Sequence, residues 1–346
     1  IIRKRKTCGR NFKILSYSRK TISRITMNPR QLFSIGPGQS AHGQSTHLQG
    51  MLLMALAMLI IPGIDVFAKL LGQTMSPGQV VWYRFFLQTL LLTPVIIWFR
   101  LWVLPQGTLV IQFARGVLLA GATLFFFAAL NYLSIAVAIS IFFVEPMILT
   151  LLCVIFLGER IHIRRIAAII VGFGGAMIII RPSFAEVGAP ALLPLGAALC
   201  FAFYFLLTRR ISGQVNPFQM QWMVGLSAVL VMALALGAGE GLNITVLAPS
   251  LPQGIAIYWV IGLGLVSTIG HLTLVVAVAR APASMLAPFQ YIEIIGATVF
   301  GFLVFGDIPD TPTIIGVALI IGSGLYLFHR ETRGQASAEK RVEASR

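Results

Sequence analysis

Long apolar stretches alternate with short polar breaks along most of the chain, from residue 49 to residue 329. A membrane-spanning helix needs about 20 predominantly apolar residues. Charges, prolines and glycine clusters separate ten stretches of about this length, which predicts ten transmembrane helices. Their predicted limits are 49–71, 78–99, 109–131, 134–157, 161–181, 190–210, 217–238, 254–279, 283–305 and 311–329. The pattern therefore predicts an all-α integral membrane protein.

The composition excludes an ordinary soluble protein and argues against an enzyme. Of the 346 residues, 57% are hydrophobic and only 11% are charged, whereas a soluble domain carries about 25% charged residues. The loops between the apolar stretches are short and poor in His, Asp and Ser. A membrane-embedded enzyme would need a nucleophile, or a metal with a base, near one surface. Because no CxxC or HExxH spacing occurs either, we expect no catalytic site, no metal and no cofactor.

The basic residues mark the orientation of the chain rather than a nucleic-acid site. The net charge is +15, yet ten of the 26 basic residues fall in the first 30 positions and most others flank apolar stretches. With the N-terminus inside, the inner loops hold seven arginines and the outer loops only Arg181. Such an excess on the cytoplasmic side predicts that both termini are cytoplasmic, in a multi-pass protein of the bacterial inner membrane. The seven inner arginines are Arg100, Arg160, Arg164, Arg165, Arg209, Arg210 and Arg280.

Two polar tails flank the apolar part. Residues 1–48 are basic and polar, and we expect them to be disordered and cytoplasmic. No apolar run precedes residue 51, which excludes a secretory signal peptide, although an Arg- and Ser-rich transit peptide stays open. The chain opens on Ile, and Met27 is its first methionine, so the residues before Met27 are expected not to be native. Residues 331–346 form the predicted cytoplasmic C-terminal tail.

The two halves of the apolar part repeat each other. A shift of 148 positions aligns 134–182 with 282–330 without a gap, placing Glu145 on Glu293 and Gly158-Glu159 on Gly306-Asp307. A shift of 140 aligns the earlier parts, including Lys69 with Arg209, Pro77 with Pro217 and Trp82 with Trp222. Each half then holds five spans, and an odd number inverts the second copy. This predicts two inverted five-helix repeats, residues 49–182 and 190–330, as in alternating-access transporters.

The same residues resemble the EamA branch of the drug/metabolite transporter superfamily. The first-half resemblance rests on Glu145-Pro146, on Leu157-Gly158-Glu159-Arg160 and on the glycine-rich span that ends at Arg181-Pro182. The second half has Pro288, Gly306-Asp307 and Gly316 to Gly322, with Asp307 where the family usually has Glu. The resemblance covers about 49–330. It implies a carrier of small metabolites, not an enzyme, that needs no cofactor.

A narrower resemblance concerns the solute. The stretches 65–69, 82–89 and 114–116 resemble a bacterial group that includes riboflavin importers, and the Arg-Phe and Arg-Gly pairs recur in S-adenosylmethionine carriers. Riboflavin uptake is therefore the first expectation. Export of amino acids or other metabolites, and an S-adenosylmethionine or nucleoside-like solute, are the alternatives. The lipid bilayer, the solute and a coupling proton are the expected partners, and monomer and homodimer both stay open.

Ionisable residues inside the predicted spans are the candidate site. A charge at the bilayer centre costs about 2.5–3.5 kcal/mol on insertion scales, so such residues usually serve a function. Glu145 and Glu293 lie near mid-depth, one in each half, where they could carry a proton, bind the substrate or pair with an arginine. Arg84 and Arg115 lie towards opposite surfaces and suit substrate-anchoring or gating cations, or partners of these acids.

Four further residues complete the candidate set. Asp65 and Lys69 are four residues apart on one helix face, which predicts an ion pair that serves as a gate or a structural contact. His271 lies deep in its span, as a hydrogen-bond donor or a proton relay. Gln290 precedes Glu293 by one turn, near Pro288, and helices interrupted in this way line transporter sites. Nearby phenylalanines could stack on a flat ring or simply fill the core; they are Phe125, Phe126, Phe127, Phe142 and Phe143.

Overall fold

The computed structural model describes residues 43–103, 105, 107–157, 163–211, 215–280, 286 and 289–326. Most of these residues are helical, and none of them is in a β-strand. Most of the two predicted tails, the Gly158-Glu159-Arg160 signature and Pro288 lie outside the described residues. The helices are α1 Gly43–Ile60, α2 Pro62–Leu71, α3 Pro77–Trp98, α4 Leu109–Ala129, α5 Ile135–Phe142, α6 Glu145–Leu157, α7 Ile163–Val187, α8 Leu193–Ile211, α9 Pro217–Gly241, α10 Ala256–Arg280, α11 Ile292–Phe300 and α12 Thr311–Tyr326.

Within the residues that the structure describes, seven helical segments are long and apolar enough to cross a membrane. In their most apolar windows only 28 to 47% of the residues are buried inside the protein. The remaining apolar side chains face outward, as lipid-exposed surfaces do, and Leu234 is 75% exposed. The chain is therefore a multi-pass integral membrane protein. The seven segments are Leu48–Leu71, Pro77–Trp98, Leu109–Ala129, Ile166–Val187, Ala189–Thr208, Pro217–Gly241 and Ala256–Leu274.

Helix starts follow from local capping chemistry. The Ser76 hydroxyl accepts a hydrogen bond from the Gln79 amide at 3.2 Å, and Asn216 accepts one from the Phe218 amide at 2.9 Å. A proline follows each cap, where its missing N–H costs no helical hydrogen bond. α3 and α9 therefore begin in the same way, at positions that the sequence repeat aligns. Asp310 caps α12 through the Thr313 amide at 3.0 Å.

Several predicted spans differ from the helices observed. The span 49–71 begins earlier, at Gly43, and is interrupted before Pro62, whose ring removes a backbone donor. The span 161–181 ends too early, because α7 continues through Pro182 to Val187; membrane helices tolerate such prolines.

The predicted spans 134–157 and 283–305 are each interrupted just before an acid. In the first, a turn at Phe143 and Val144 separates α5 from α6, which begins at Glu145. In the second, a turn at Tyr291 precedes α11, which begins at Ile292 and has Glu293 in its first turn. α11 then continues as a π-helical turn, Gly301–Phe305. Each interruption places a carboxylate in the first turn of a short helix.

Close helix contacts hold the bundle together and position the site. α4 packs on α8, α1 on α10, and α9 on both α3 and α4. At the α3–α9 crossing, a Cβ on Gly225 would lie 3.7 Å from the Phe85 carbonyl oxygen. At the α7–α12 crossing, a Cβ on Gly175 would lie 2.8 Å from the Gly316 carbonyl oxygen. Small residues at these points let backbones approach, as is usual in membrane bundles.

Candidate functional site

A group of polar side chains meets between five helices and is called here the Arg84 cluster. It contains Asp65 of α2, Arg84 of α3, Thr123 of α4, His271 of α10 and Glu293 of α11. Three of the predicted site residues, Asp65, Arg84 and His271, are therefore brought together, and Glu293 acts on Asp65 electrostatically. Asp65 and Arg84 are only 7% and 6% exposed. Charged groups so deep in an apolar bundle need partners or a ligand.

Arg84 is held by neutral groups rather than by a salt bridge. Its Nη1 donates to the Thr123 hydroxyl, which itself donates to the Leu119 carbonyl at 2.8 Å. Its Nη2 lies 3.2 Å from His271 Nε2. Among the described residues no carboxylate oxygen comes within 4.0 Å of this guanidinium, although Asp65 acts on it electrostatically. The cation is positioned but not neutralised.

The contact with Arg84 fixes the tautomer of His271. Since guanidinium nitrogens only donate, His271 Nε2 must accept, and the ring proton then sits on Nδ1. Nδ1 lies 2.9 Å from the Ser267 carbonyl oxygen, which accepts it. His271 is thus a neutral imidazole that orients Arg84.

Glu145 has a separate environment. It is 8% exposed, and its Oε1 is buried without a hydrogen-bond partner. Its electrostatic neighbour is Tyr291, whose ring packs on Phe143 at a centroid distance of 5.4 Å. Gln290 and Glu293 flank Tyr291 in the same segment and are half-buried. The two acids that the repeat aligns therefore have different neighbours.

The prediction that Lys69 forms an ion pair with Asp65 is wrong, because Lys69 pairs with a different acid. Lys69 Nζ lies 2.8 Å from Asp307 Oδ2, and the same ammonium lies 4.6 Å from the centre of the Phe305 ring. Asp65 instead takes part in the Arg84 cluster. A shared helix face does not decide the partner when the lysine side chain is long enough to reach a neighbouring element. The pair joins α2 to the turn that follows α11.

Arg115 forms a third polar group, called here the Arg115 cluster. Its Nε donates to the Thr208 hydroxyl at 2.8 Å, its Nη1 to Gln112 Oε1, and its Nη2 to the Tyr204 hydroxyl at 3.3 Å. The guanidinium also lies 5.0 Å from the centre of the Tyr204 ring. The hypothesis that Arg115 pairs with Glu145, Glu293 or Asp65 is thus wrong in this structure. Because α4 packs against α8, Arg115 contacts Thr208 and Tyr204 of α8 instead.

Comparison with known proteins identifies the family. The model of the EamA-like transporter family matches the chain twice, over residues 48–181 and 189–328. The chain belongs to the EamA-like transporter family. Members of this family are transporters and not enzymes.

Curated relatives have two different solutes in their names. An S-adenosylmethionine uptake transporter from Rickettsia prowazekii is 23% identical over 292 residues, 84% of this chain and 96% of the relative. A riboflavin transporter from Rhizobium johnstonii is 31% identical over 197 residues, 57% of this chain and 62% of the relative. A crystal structure with 17% sequence identity superposes with a TM-score of 0.54, covering 81% of this chain and 95% of that one. The latter similarity concerns the fold alone.

Sequence reasoning missed several polar residues of this EamA-like transporter. Gln88 follows Arg84 by one turn, is fully buried, and has no hydrogen-bond partner at either amide atom. Thr123 holds Arg84, and Asp307 holds Lys69. The spacing of four between Arg84 and Gln88 places both on one helix face and could have revealed Gln88. Asp307 could not be found in this way, because its partner is distant in sequence.

The aromatic residues near the site divide into two groups. Phe127 lies 5.9 Å from the Arg84 guanidinium and Phe143 packs on Tyr291, so both adjoin the polar groups. Phe142 packs edge-to-face on Phe126 within the core, while Phe125 is 41% exposed on the outside of the bundle.

Proposed function

We propose that this chain is a secondary carrier that moves a small metabolite across the bacterial inner membrane by alternating access. The observation that supports this best is the accumulation of buried polar atoms without partners between helices of both halves. They include Arg84 Nε, both amide atoms of Gln88, Glu145 Oε1 and Ser267 Oγ. A buried polar atom without a partner is costly. A solute with several hydrogen-bonding groups would supply the missing partners.

The carrier consists of ten spans in two inverted repeats, residues 49–182 and 190–330. Three shorter apolar helices, Ile135–Leu149, Ile292–Phe305 and Thr311–Tyr326, supply the remaining crossings. The double match to the family model supports the repeat. So do contacts between aligned residues, since a residue touches its own counterpart only near a two-fold axis. Phe143 packs on Tyr291 at a shift of 148, and Gly225 lies against Phe85 at a shift of 140.

The Lys69–Asp307 pair supports a state that is closed towards the outside. With both termini cytoplasmic, α2 ends at the outer surface and the turn after α11 lies there too. Lys69 belongs to the first half and Asp307 to the second, so their contact joins the halves at the outer ends. Separating this pair would open the outer entrance, and the Arg84 cluster would then be reached from that side.

S-adenosylmethionine is the solute that the Arg84 cluster suits best. This solute carries a sulfonium, an ammonium and a carboxylate. The Arg84 cluster offers the carboxyl groups of Asp65 and Glu293 and one guanidinium, and Glu145, which is buried outside that cluster, offers a third carboxyl group. Asp65, Glu145 and Glu293 would face the cationic groups, and Arg84 the carboxylate. The full-length match to S-adenosylmethionine uptake transporters supports the same solute.

Riboflavin is the second candidate, favoured by a different observation. Aromatic rings adjoin the polar groups at Phe127, Phe143 and Tyr291, and a flat isoalloxazine ring stacks on such surfaces. The more identical but partial match to a riboflavin transporter supports it. A neutral flavin would leave Asp65 and Arg84 without charged partners from the solute, and it therefore ranks second here.

Uptake by bacteria that lack the relevant synthesis and importers tests the proposal. One strain requires external S-adenosylmethionine and the other requires riboflavin, each at micromolar concentration. We expect this chain to restore growth of the first strain. Rescue of the riboflavin strain alone would identify riboflavin as the solute and leave the proposal of a carrier unchanged. Rescue of neither strain, with the protein present in the membrane, would contradict both solutes and direct attention to metabolite export.

A further inference from the structure

The Arg115 cluster holds a buried cation without a counter-charge. Arg115 is 1% exposed, and each of its three acceptors, Thr208, Gln112 and Tyr204, is neutral. In the part of the chain that the structure describes, no carboxylate forms a salt bridge with it. Taking an unpaired cation out of water is costly even when its N–H groups are hydrogen-bonded.

One unused donor lies beside this guanidinium, and a second lies at the same level of the neighbouring helix. Gln112 is fully buried, and while its Oε1 accepts from Arg115, its Nε2 has no partner. Gln221 of α9 is 5% exposed and its Nε2 also has no partner. α9 crosses α4 where a Cβ on Gly116 would lie 3.0 Å from the Val224 carbonyl oxygen. One turn before that crossing on each helix lie Gln112 and Gln221, so the two amides are at the same level.

The polar atoms without partners here are donors, and among the described residues that contact Arg115 none carries a negative charge. Two amide NH2 groups and a guanidinium match an oxyanion, and a planar carboxylate is the group that a guanidinium binds most specifically. The predicted topology puts this cluster near the inner surface, because α4 begins and α8 ends there. The residues come from both halves, so that a solute passing between the halves meets them.

We propose that the Arg115 cluster is a second solute subsite, near the cytoplasmic side, that binds the carboxylate of the transported metabolite. This rests on the proposed function, since it requires a solute that passes between the two halves. The Arg84 cluster then holds the solute first, and Arg115 holds its carboxylate before release into the cytoplasm. A carrier built in this way discriminates between a carboxylate-bearing solute and the same solute without that group.

Transport by the purified chain in proteoliposomes tests the discrimination. The solutes are S-adenosylmethionine and its decarboxylated analogue, which keeps the sulfonium and the ammonium. We expect Arg115→Gln to slow S-adenosylmethionine uptake about tenfold while changing that of the analogue less than about twofold. Arg115→Lys keeps the charge without the planar fork and should lie between. The control is Arg100→Gln, which removes an exposed arginine outside the cluster. An equal loss for both solutes, or no loss, would overturn the subsite.

A binding measurement separates this proposal from the choice of solute. The melting temperature of the detergent-purified chain is compared in sodium acetate and in sodium chloride at equal ionic strength. We expect acetate to raise it by about 2 °C in the wild type and in Arg100→Gln, but not in Arg115→Gln. Equal melting temperatures of the wild type in acetate and in chloride would show no preference for a carboxylate and overturn the carboxylate subsite. Acetate binding that depends on Arg115, without S-adenosylmethionine transport, would contradict the solute and keep the subsite.

Discussion

Arg84 is the residue on which the proposed solute site depends most. It is oriented by Thr123 and by a neutral His271, and its Nε stays without a partner. A cation held only by neutral groups can exchange its weak contacts for a charged group on the solute. Arg84 therefore combines a fixed position with unused binding capacity, which is the combination that a binding site requires.

Substitution of the charged residues in this cluster should strongly reduce transport without loss of the protein. We expect Arg84→Ala, and separately Glu293→Gln, to lower uptake of the accepted solute at least about tenfold, because each removes one charge that faces the solute. Uptake is measured in cells and divided by the amount of protein in the membrane. Arg100→Ala, at an exposed position, is the matched control. Normal uptake in both variants would remove their proposed roles.

Gln88 allows stability and transport to be separated. Its side chain is fully buried and neither amide atom has a partner. Replacing a buried, unsatisfied polar group by an apolar one of similar size removes a penalty of about 1–3 kcal/mol. We expect Gln88→Leu to raise the melting temperature in detergent while lowering uptake. A lower melting temperature would mean that Gln88 has a structural partner, and unchanged uptake would exclude it from the site.

At the scale of helices, the paired glycines of α7 and α12 decide how closely the two elements approach. Gly175 is buried against the Gly316 carbonyl oxygen, whereas its neighbour Gly174 is exposed, with open space where a Cβ would stand. We expect Gly175→Ala to destabilise the bundle by about 1–3 kcal/mol through overpacking. Gly174→Ala should be neutral or slightly stabilising, because it only restricts the unfolded chain.

Unfolding of both glycine variants in mild detergent, followed by circular dichroism, checks this contrast. A shared response of Gly174→Ala and Gly175→Ala would show that helix propensity, and not the close contact, controls stability here. Transport provides a second measurement. If α7 and α12 stay together during transport, Gly175→Ala should reduce the amount of folded protein without changing the uptake per folded molecule.

The positions of α3 and α9 were readable from the sequence, whereas the exact point at which the span 134–157 is interrupted and the partners of the charged side chains were not. The ends of α3 and α9 agree with prediction to within a few residues, since Ser76-Pro77 and Asn216-Pro217 are local signals. The turn at Phe143 and Val144 has no proline or glycine of its own, so hydropathy alone could not locate it. Partners such as Lys69 and Asp307 are 238 positions apart. Such contacts depend on tertiary packing, which no periodicity encodes.

At the scale of the whole molecule, the Lys69–Asp307 ion pair joins the two repeated halves of the chain. The sequence repeat aligns Lys69 with Arg209 and Asp307 with Glu159, so the same charge types recur in the other half. Glu159 lies outside the described residues, so the geometry is known for the Lys69–Asp307 pair and not for its counterpart. Lys69 and Asp307 are 19% and 29% exposed at their side chains. Partly exposed pairs of this kind contribute about 0.2–1 kcal/mol, enough to bias two states without locking either.

In the proposed orientation, breaking the Lys69–Asp307 pair should make buried positions near it easier to reach from outside the cell. The reporter is a single cysteine introduced at Val66 after the native cysteines have been replaced. Val66 is buried and precedes Lys69 by about one helical turn. The rate at which an impermeant thiol reagent modifies this cysteine measures opening. We expect Lys69→Gln and Asp307→Asn each to raise this rate by up to about fivefold, the ratio that corresponds to 1 kcal/mol. The charge-swapped Lys69→Asp/Asp307→Lys variant should restore the wild-type rate, because it re-forms the pair with reversed signs. Asp310→Asn, which removes an exposed charge in the same turn but keeps a cap on α12, should leave the rate unchanged. If the swapped variant stays as reactive as the single variants, an ion pair is not what closes the outer side.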